Sequence, residues 1–497
     1  MPSIISSLST DQIAALATNT IAGLTTEDWA AFSTDQLGAL TSSQIPSISD
    51  KGIAALSSAQ IVGIGTEDVA LFNKKQIESV TLESVAALTT TQVTALTPTQ
   101  VTYLKEDQIG ALTSAQVAAF ETADLQAFTV KQLEAFDTAA IAALTSTQMP
   151  TLTTQQVASL SAEQVAAIET VDLAAMSVDQ VAAFDLNAVA ALTTAQLGEL
   201  TTAQLAGLTT KQIQSLTTAQ LSEIATDDLN ALTTDQFASL KPAQLESLTT
   251  GQISSLTSED LGALSVKQLA ALDTDQISSL TTAQIEALSS TQMASLSAAQ
   301  VGALTTAQVA AIETVDLAGM GVKQLAAFDT GAIVALTTAQ VASMTDKQLS
   351  SLSTEQLVAL ETGDIAALTT GVLSALSEKS IEALTSAQLA ALSSSQIESL
   401  TVKQVAALTT AQVAGLTTED LNALTTEQFS KLTAAQVGAL TTSQLSNLVD
   451  ADLQALTVRQ FGALDSADVT ALGSAQVAAL TTEQIASLST AQAAGLE

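Results

Sequence analysis

Nothing constrains this chain more than a period of eight residues that never slips. In the octad Thr409–Leu416, Thr-Thr-Ala-Gln-Val-Ala-Gly-Leu, the last residue is a large apolar one, and counting back from it every eighth residue is Leu, Ile, Val, Phe or Met as far as Leu8. Three places earlier stands a second large apolar residue, from Ile5, Ile13 and Ile21 onward, with Ala493 the exception. The 497 residues therefore hold 62 octads, and a repeat of this kind has to be recognised before any domain is drawn. With the octad numbered so that these apolar residues fall at positions 5 and 8, the candidate folds can be tested in turn.

A half-buried strand fails, because residues separated alternately by three and five point to opposite faces. A continuous α-helix fails as well, since eight residues advance by about 800° and the apolar pair would drift by roughly 80° per octad. A short helix that restarts in each octad fits. Position 1 is usually Thr or Ser, or Asp as at Asp137, Asp185, Asp273, Asp329 and Asp465, and position 4 is usually Gln. That spacing is a capping box, and positions 8 and 5 then form the hydrophobic staple around it. Pro2, Pro98 and Pro242 fall at position 2, the first helical residue, where a missing N–H costs nothing. Pro46 and Pro150 fall at position 6 and argue against a full helix in their octads. The fold class expected is all-α, a solenoid of 62 short capped helices, continuous over residues 1–497.

The composition narrows function mainly by exclusion. There is no Cys and no His, Arg459 is the one arginine, and the net charge is −36. Disulfides, thiolate zinc sites, a histidine base and a basic nucleic-acid surface are thereby excluded, and absent Cys suits an oxidising or extracellular setting. No run approaches 18 apolar residues, so no membrane insertion is expected, and the first residues carry neither the basic nor the apolar region of a cleavable signal peptide. No acidic residue stands in a context that its equivalents in other octads lack. The expectation is no enzyme, no catalytic, cofactor-binding or metal site, and no cofactor, with Asp450 and Asp452 too thin a pair to name as metal ligands.

Substitutions inside the octad carry the remaining information. Asp replaces Gln at position 4 in eleven octads: Asp28, Asp68, Asp124, Asp172, Asp228, Asp260, Asp316, Asp364, Asp420, Asp452 and Asp468. The run Asp124, Asp172, Asp228, Asp260 recurs 192 residues later, which marks an internal duplication of residues 105–296 as 297–488. All but the last are four to seven octads apart, so they mark either a superhelical turn of about six octads or inherited duplication. Trp29 and all ten Phe occupy positions 5 or 8 and read as core, with Tyr103 at position 7 the aromatic off the pattern. Ten of the 14 basic residues, Lys131, Lys267, Lys323, Lys403 and Arg459 among them, lie at position 3 as a sparse cationic line.

Stretches such as LTTAQVAGL, LTTEQIASL and LSTAQAAGL resemble the octapeptide (LTTxQ) repeat regions of large bacterial secreted and surface proteins, the adhesin-like exoproteins of the haem-utilisation/adhesion type. The resemblance implies export by a C-terminally addressed route and a surface or matrix role. The chain itself offers haem no axial ligand beyond a lone Tyr and core Met. Neither end of the repeat shows a visible polar cap, and uncapped solenoid ends associate head to tail. The function expected is therefore structural: a self-assembling building block of an extracellular bacterial fibre, sheath or surface layer, with self as partner and divalent cations as non-specific ones. The alternatives are a repetitive stalk or binding module of a surface adhesin and a ligand carrier with a site in the superhelical lumen.

Overall fold

A computed structural model describes residues 3–496; Met1, Pro2 and Glu497 lie outside the described residues. It contains 59 α-helices and three 3-10 turns, one element for each of the 62 octads, and no strand among the described residues. The chain divides into two compact units, Met1–Leu256 and Thr257–Glu497. Both are built in the same way.

The octad Thr409–Leu416 shows how eight residues make one element. Thr409 is extended (φ −73°, ψ 157°), Thr410–Gly415 is helical, and Leu416 is extended again (φ −66°, ψ 143°). The Gln412 amide donates to the Thr409 hydroxyl at 3.1 Å, while the Thr409 amide donates to the Gln412 side-chain oxygen at 2.7 Å. At the other end Leu416 N donates to Val413 O, a 3-10 bond that closes the last turn with no left-handed residue. No described residue has a positive φ, so glycine is nowhere needed to end a helix. Pro98 and Pro242 open their helices as the first helical residue. Pro46 and Pro150 reduce theirs to the 3-10 turns Ile45–Ser47 and Met149–Thr151.

Two extended residues between helices swing each helix well over a quarter turn from the one before, and the chain coils. In the first unit Thr94 donates to Ala119 O, 25 residues ahead, and Gln116 donates to Val85 O and Leu88 O, 31 and 28 residues back. In the second unit Asn422 donates to Asn447 O, and Gln444 to Val413 O and Leu416 O, over the same intervals. One turn of the coil therefore takes between three and four octads. This corrects the six-octad turn suggested by the Asp spacing: those octads do not recur with the turn and mark no single side of it.

Positions 5 and 8 point to the axis of each coil and fill it. Phe120, Phe128 and Phe136, position 8 of three successive octads, meet edge to face at 5.1 and 5.5 Å. Around Val69, Phe72, Ile77 and Val85 the free space is about 10 Å³, the room of about one water at most. No room for a larger molecule is left among these side chains. Core side chains are buried in nearly every octad, and each contributes roughly 1.5–3 kcal/mol on burial, so octads too short to be stable alone hold together by stacking.

Trp29 is the largest side chain at this axis, and its accommodation is visible three octads on. The octad containing Gly52 has glycine where Gln is the rule, and a Cβ there would stand 2.6 Å from Trp29 Nε1. Gly52→Ala should therefore destabilise the first unit by about 1–3 kcal/mol through overpacking. In a Trp29→Leu background the same change should be close to neutral, and denaturation of the double-mutant cycle measures the coupling.

Candidate functional site

Position 4 forms the one column in which a polar side chain is buried octad after octad, and it holds the chain's most consequential chemistry. Gln412 is representative. Its oxygen closes the N-terminus of its own helix by accepting from Thr409 N. Its Nε2 crosses to the turn below and donates to Ile381 O at 3.0 Å and Leu384 O at 2.7 Å. Leu384 is extended and its carbonyl takes no part in a helix, so the glutamine satisfies a group that the fold otherwise orphans. The pattern runs through both units, from Gln36 on Ile5 O and Leu8 O to Gln492 on Leu464 O. The capping half of this role was readable from the sequence. The inter-turn half was not, and it explains why these glutamines are buried although their octads expose positions 1–3.

The ALTTAQ repeat model matches ten stretches of the chain: residues 117–154, 165–202, 221–258, 255–290, 309–346, 357–394, 381–418, 413–450, 450–482 and 461–497. The chain belongs to the ALTTAQ repeat family. No curated protein matches it. Among solved structures it is similar to APUM23 with GGAAUUGACGG, at 12% identity over 99% of this chain and 98% of that one, TM-score 0.15. A homology model of the full-length AP-3 complex in an intermediate open conformation aligns at 10% identity over 98% of this chain and 79% of that one, also at TM-score 0.15. Scores this low support no argument about fold or function. The repeat's own letters place its final Q at position 4, the inter-turn donor.

Departures from the ALTTAQ consensus at this column change the wall in specific ways. Ser84 still donates to Leu56 O, at 3.3 Å. Asp cannot donate when ionised, and eight of the eleven Asp octads bury a carboxylate where a carboxamide belongs. Burial pushes Asp68, Asp172, Asp228, Asp452 and Asp468 above the usual carboxylate range, and it pushes Asp124 up to about 6. Asp28 is the opposite case: it lies in the first turn, where the Thr25 amide and the Ser3 and Thr25 hydroxyls hold it below that range. The first turn differs throughout, with Ile4, Gln12, Thr20 and Asp28 at position 4, so only Gln12 keeps the consensus side chain there.

Two pairs of the basic residues of position 3 lie near one another on adjacent turns. Lys323 and Lys347 flank an open groove of about 650 Å³, and Lys379 and Lys403 one of about 390 Å³. Tyr103, the aromatic off the pattern, has the Lys74 ammonium 5.7 Å over its ring. Among the described residues no three of Asp, Glu, His or Cys gather as metal ligands, Asp450 and Asp452 included. The glutamine column is testable by one substitution: Gln412→Met keeps the shape of the side chain but leaves Thr409 N and Leu384 O without a partner and Ile381 O with only its bond from Leu384 N. It should cost at least about 1–3 kcal/mol, read as a lower denaturation midpoint and as lost hydrogen-exchange protection in the two turns it joins.

Proposed function

We propose that this ALTTAQ protein is structural, a self-assembling building block of an extracellular bacterial fibre, sheath or surface layer. The observation that carries the reading is the sameness of the inter-turn joint. One set of bonds, position 4 to the carbonyls of positions 5 and 8, is repeated along both units, and a surface built to receive one more turn serves equally for a turn from another copy. Ile485 is 44% exposed, and an open groove of about 440 Å³ is lined by Val469, Leu472, Val477 and Leu496. Contacts between unlike ends are heterologous and propagate instead of closing. The net charge of −36 opposes association at low salt, and screening over about 10 Å at 0.1 M ionic strength relieves it, with divalent cations as non-specific aids. The likeness to LTTxQ regions of exported adhesin-like proteins supports placement outside the cell or on its surface.

One feature favours a second reading, a stalk that spaces an adhesive element. Eleven octads carry Asp where the joint needs a Gln donor, so the inter-turn bonds are not uniform along the wall. Analytical ultracentrifugation across protein and salt concentration separates the two. Fibre assembly predicts species that grow with concentration and with salt, and loss of that growth in Ile485→Glu. A monodisperse monomer at high concentration in 0.15 M salt with calcium would establish the stalk.

A further inference from the structure

The Asp octads place an acceptor where the wall calls for a donor. In the octad of Asp364 the carboxylate Oδ2 takes the part of the glutamine oxygen, accepting from Glu361 N at 3.2 Å. Oδ1 occupies the branch that carries Nε2 in glutamine, and it is left buried, in a residue 2% exposed, with no hydrogen-bond partner. The glutamine register would pair this branch with Ile333 O and Leu336 O, 31 and 28 residues back. Ile333 O keeps its bond from Leu336 N, and Leu336 O receives none among the described residues. Elsewhere a neighbouring hydroxyl relieves the mismatch: Ser290 donates to Asp316 Oδ1 at 2.5 Å, from position 2 of the octad 26 residues back.

Asp124 has no such relief. It is 1% exposed, and its Oδ2 accepts from Glu121 N at 3.2 Å, as in the octad of Asp364. The residue 26 before it is Pro98, which has neither hydroxyl nor N–H to give. The elements packed against its helix, Thr122–Ala127, are Pro98–Val101 and Met149–Thr151, and neither carries a charged residue. The octad that supplies the facing carbonyls, residues 89–96, carries none either. On its own octad Glu121 adds a like charge, and the nearest cation in sequence, Lys131, belongs to the next octad.

We propose that Asp124 is a proton-operated joint, whose neutral carboxyl donates its O–H to the Leu96 carbonyl of the turn below and whose ionised form leaves that joint open. The proton comes from solvent and stands in for one of the two hydrogens of the glutamine Nε2. The direction follows by linkage. The group's pKa in the fold, about 6, lies above the value of about 3.9 for an unfolded Asp, so between these limits the folded state binds more proton. The stabilisation is fully present below the lower value and is lost as pH rises through about 6. The joint thus tightens on acidification, the reverse of carboxylates held in ion pairs. Protonation of the many exposed carboxylates also lowers self-repulsion, so the comparison needs a variant that differs at this joint alone.

The test is a 13C NMR titration of the Asp124 carboxyl in the full-length protein, with thermal denaturation of wild type and Asp124→Gln from pH 4.5 to 8. A carboxyl midpoint near 6 is expected, together with an Asp124→Gln protein that melts higher than wild type at pH 8 and level with it at pH 4.5. A midpoint near 4, or a melting difference independent of pH, would overturn the proposal, as would a midpoint driven down by added calcium, which would make the joint a cation site. Should Asp124→Gln not fold, the titration of the wild type decides alone.

Discussion

A carboxamide carries an acceptor and a donor on one planar group, and in each regular octad these face opposite ways along the wall. A helix of five or six residues is nearly all ends: its first amides and last carbonyls have no partners inside it, and alone it would not persist in water. Gln412 closes the start of its own helix with its oxygen and the end of the helix beneath with its nitrogen. Cap and stack are therefore one interaction. Neither apolar burial at positions 5 and 8 nor capping at position 1 sets the distance between turns, whereas a side chain of fixed length bonded at both ends does.

The octad chemistry was legible in the sequence because it is local. Thr409 and Gln412 are three residues apart, Leu408 and Val413 make the staple, and Pro46 and Pro150 break the helices in which they stand. The turn of the coil was not legible. It is set by the backbone angles of the two extended residues between helices, such as Leu416 and Thr417, and no side chain advertises those angles. The expected six-octad turn came from spacing alone and gave way to one of between three and four. Gly52 was opaque for a related reason, since its cause, Trp29, lies 23 positions earlier and touches it only once the chain has coiled. At position 4 the cap could be read from the sequence and the partners 28 and 31 residues back could not.

The same geometry gives the departures their meaning. Replacing a Gln by Asp shortens the side chain and exchanges a donor for an acceptor, which keeps an acceptor for the cap amide and removes the donor to the carbonyls of the turn below. Asp364 and Asp124 keep the first bond and lose the second. A wall that tolerates such changes octad by octad carries its polar link to the turn below at a single position.

Hydrogen exchange of the glutamine side-chain amides, followed by NMR, tests the double role most directly. Gln12 is exposed and serves as the internal standard, since it caps its own helix while its Nε2 makes no hydrogen bond among the described residues. If the column holds the turns together, the Nε2 protons of buried position-4 glutamines such as Gln116, Gln412 and Gln444 exchange far more slowly than those of Gln12, and they do so together with the backbone amides of the helices they join. Exchange at the rate of Gln12 throughout the column would show that these glutamines only cap, and that the turns are held by apolar contact alone.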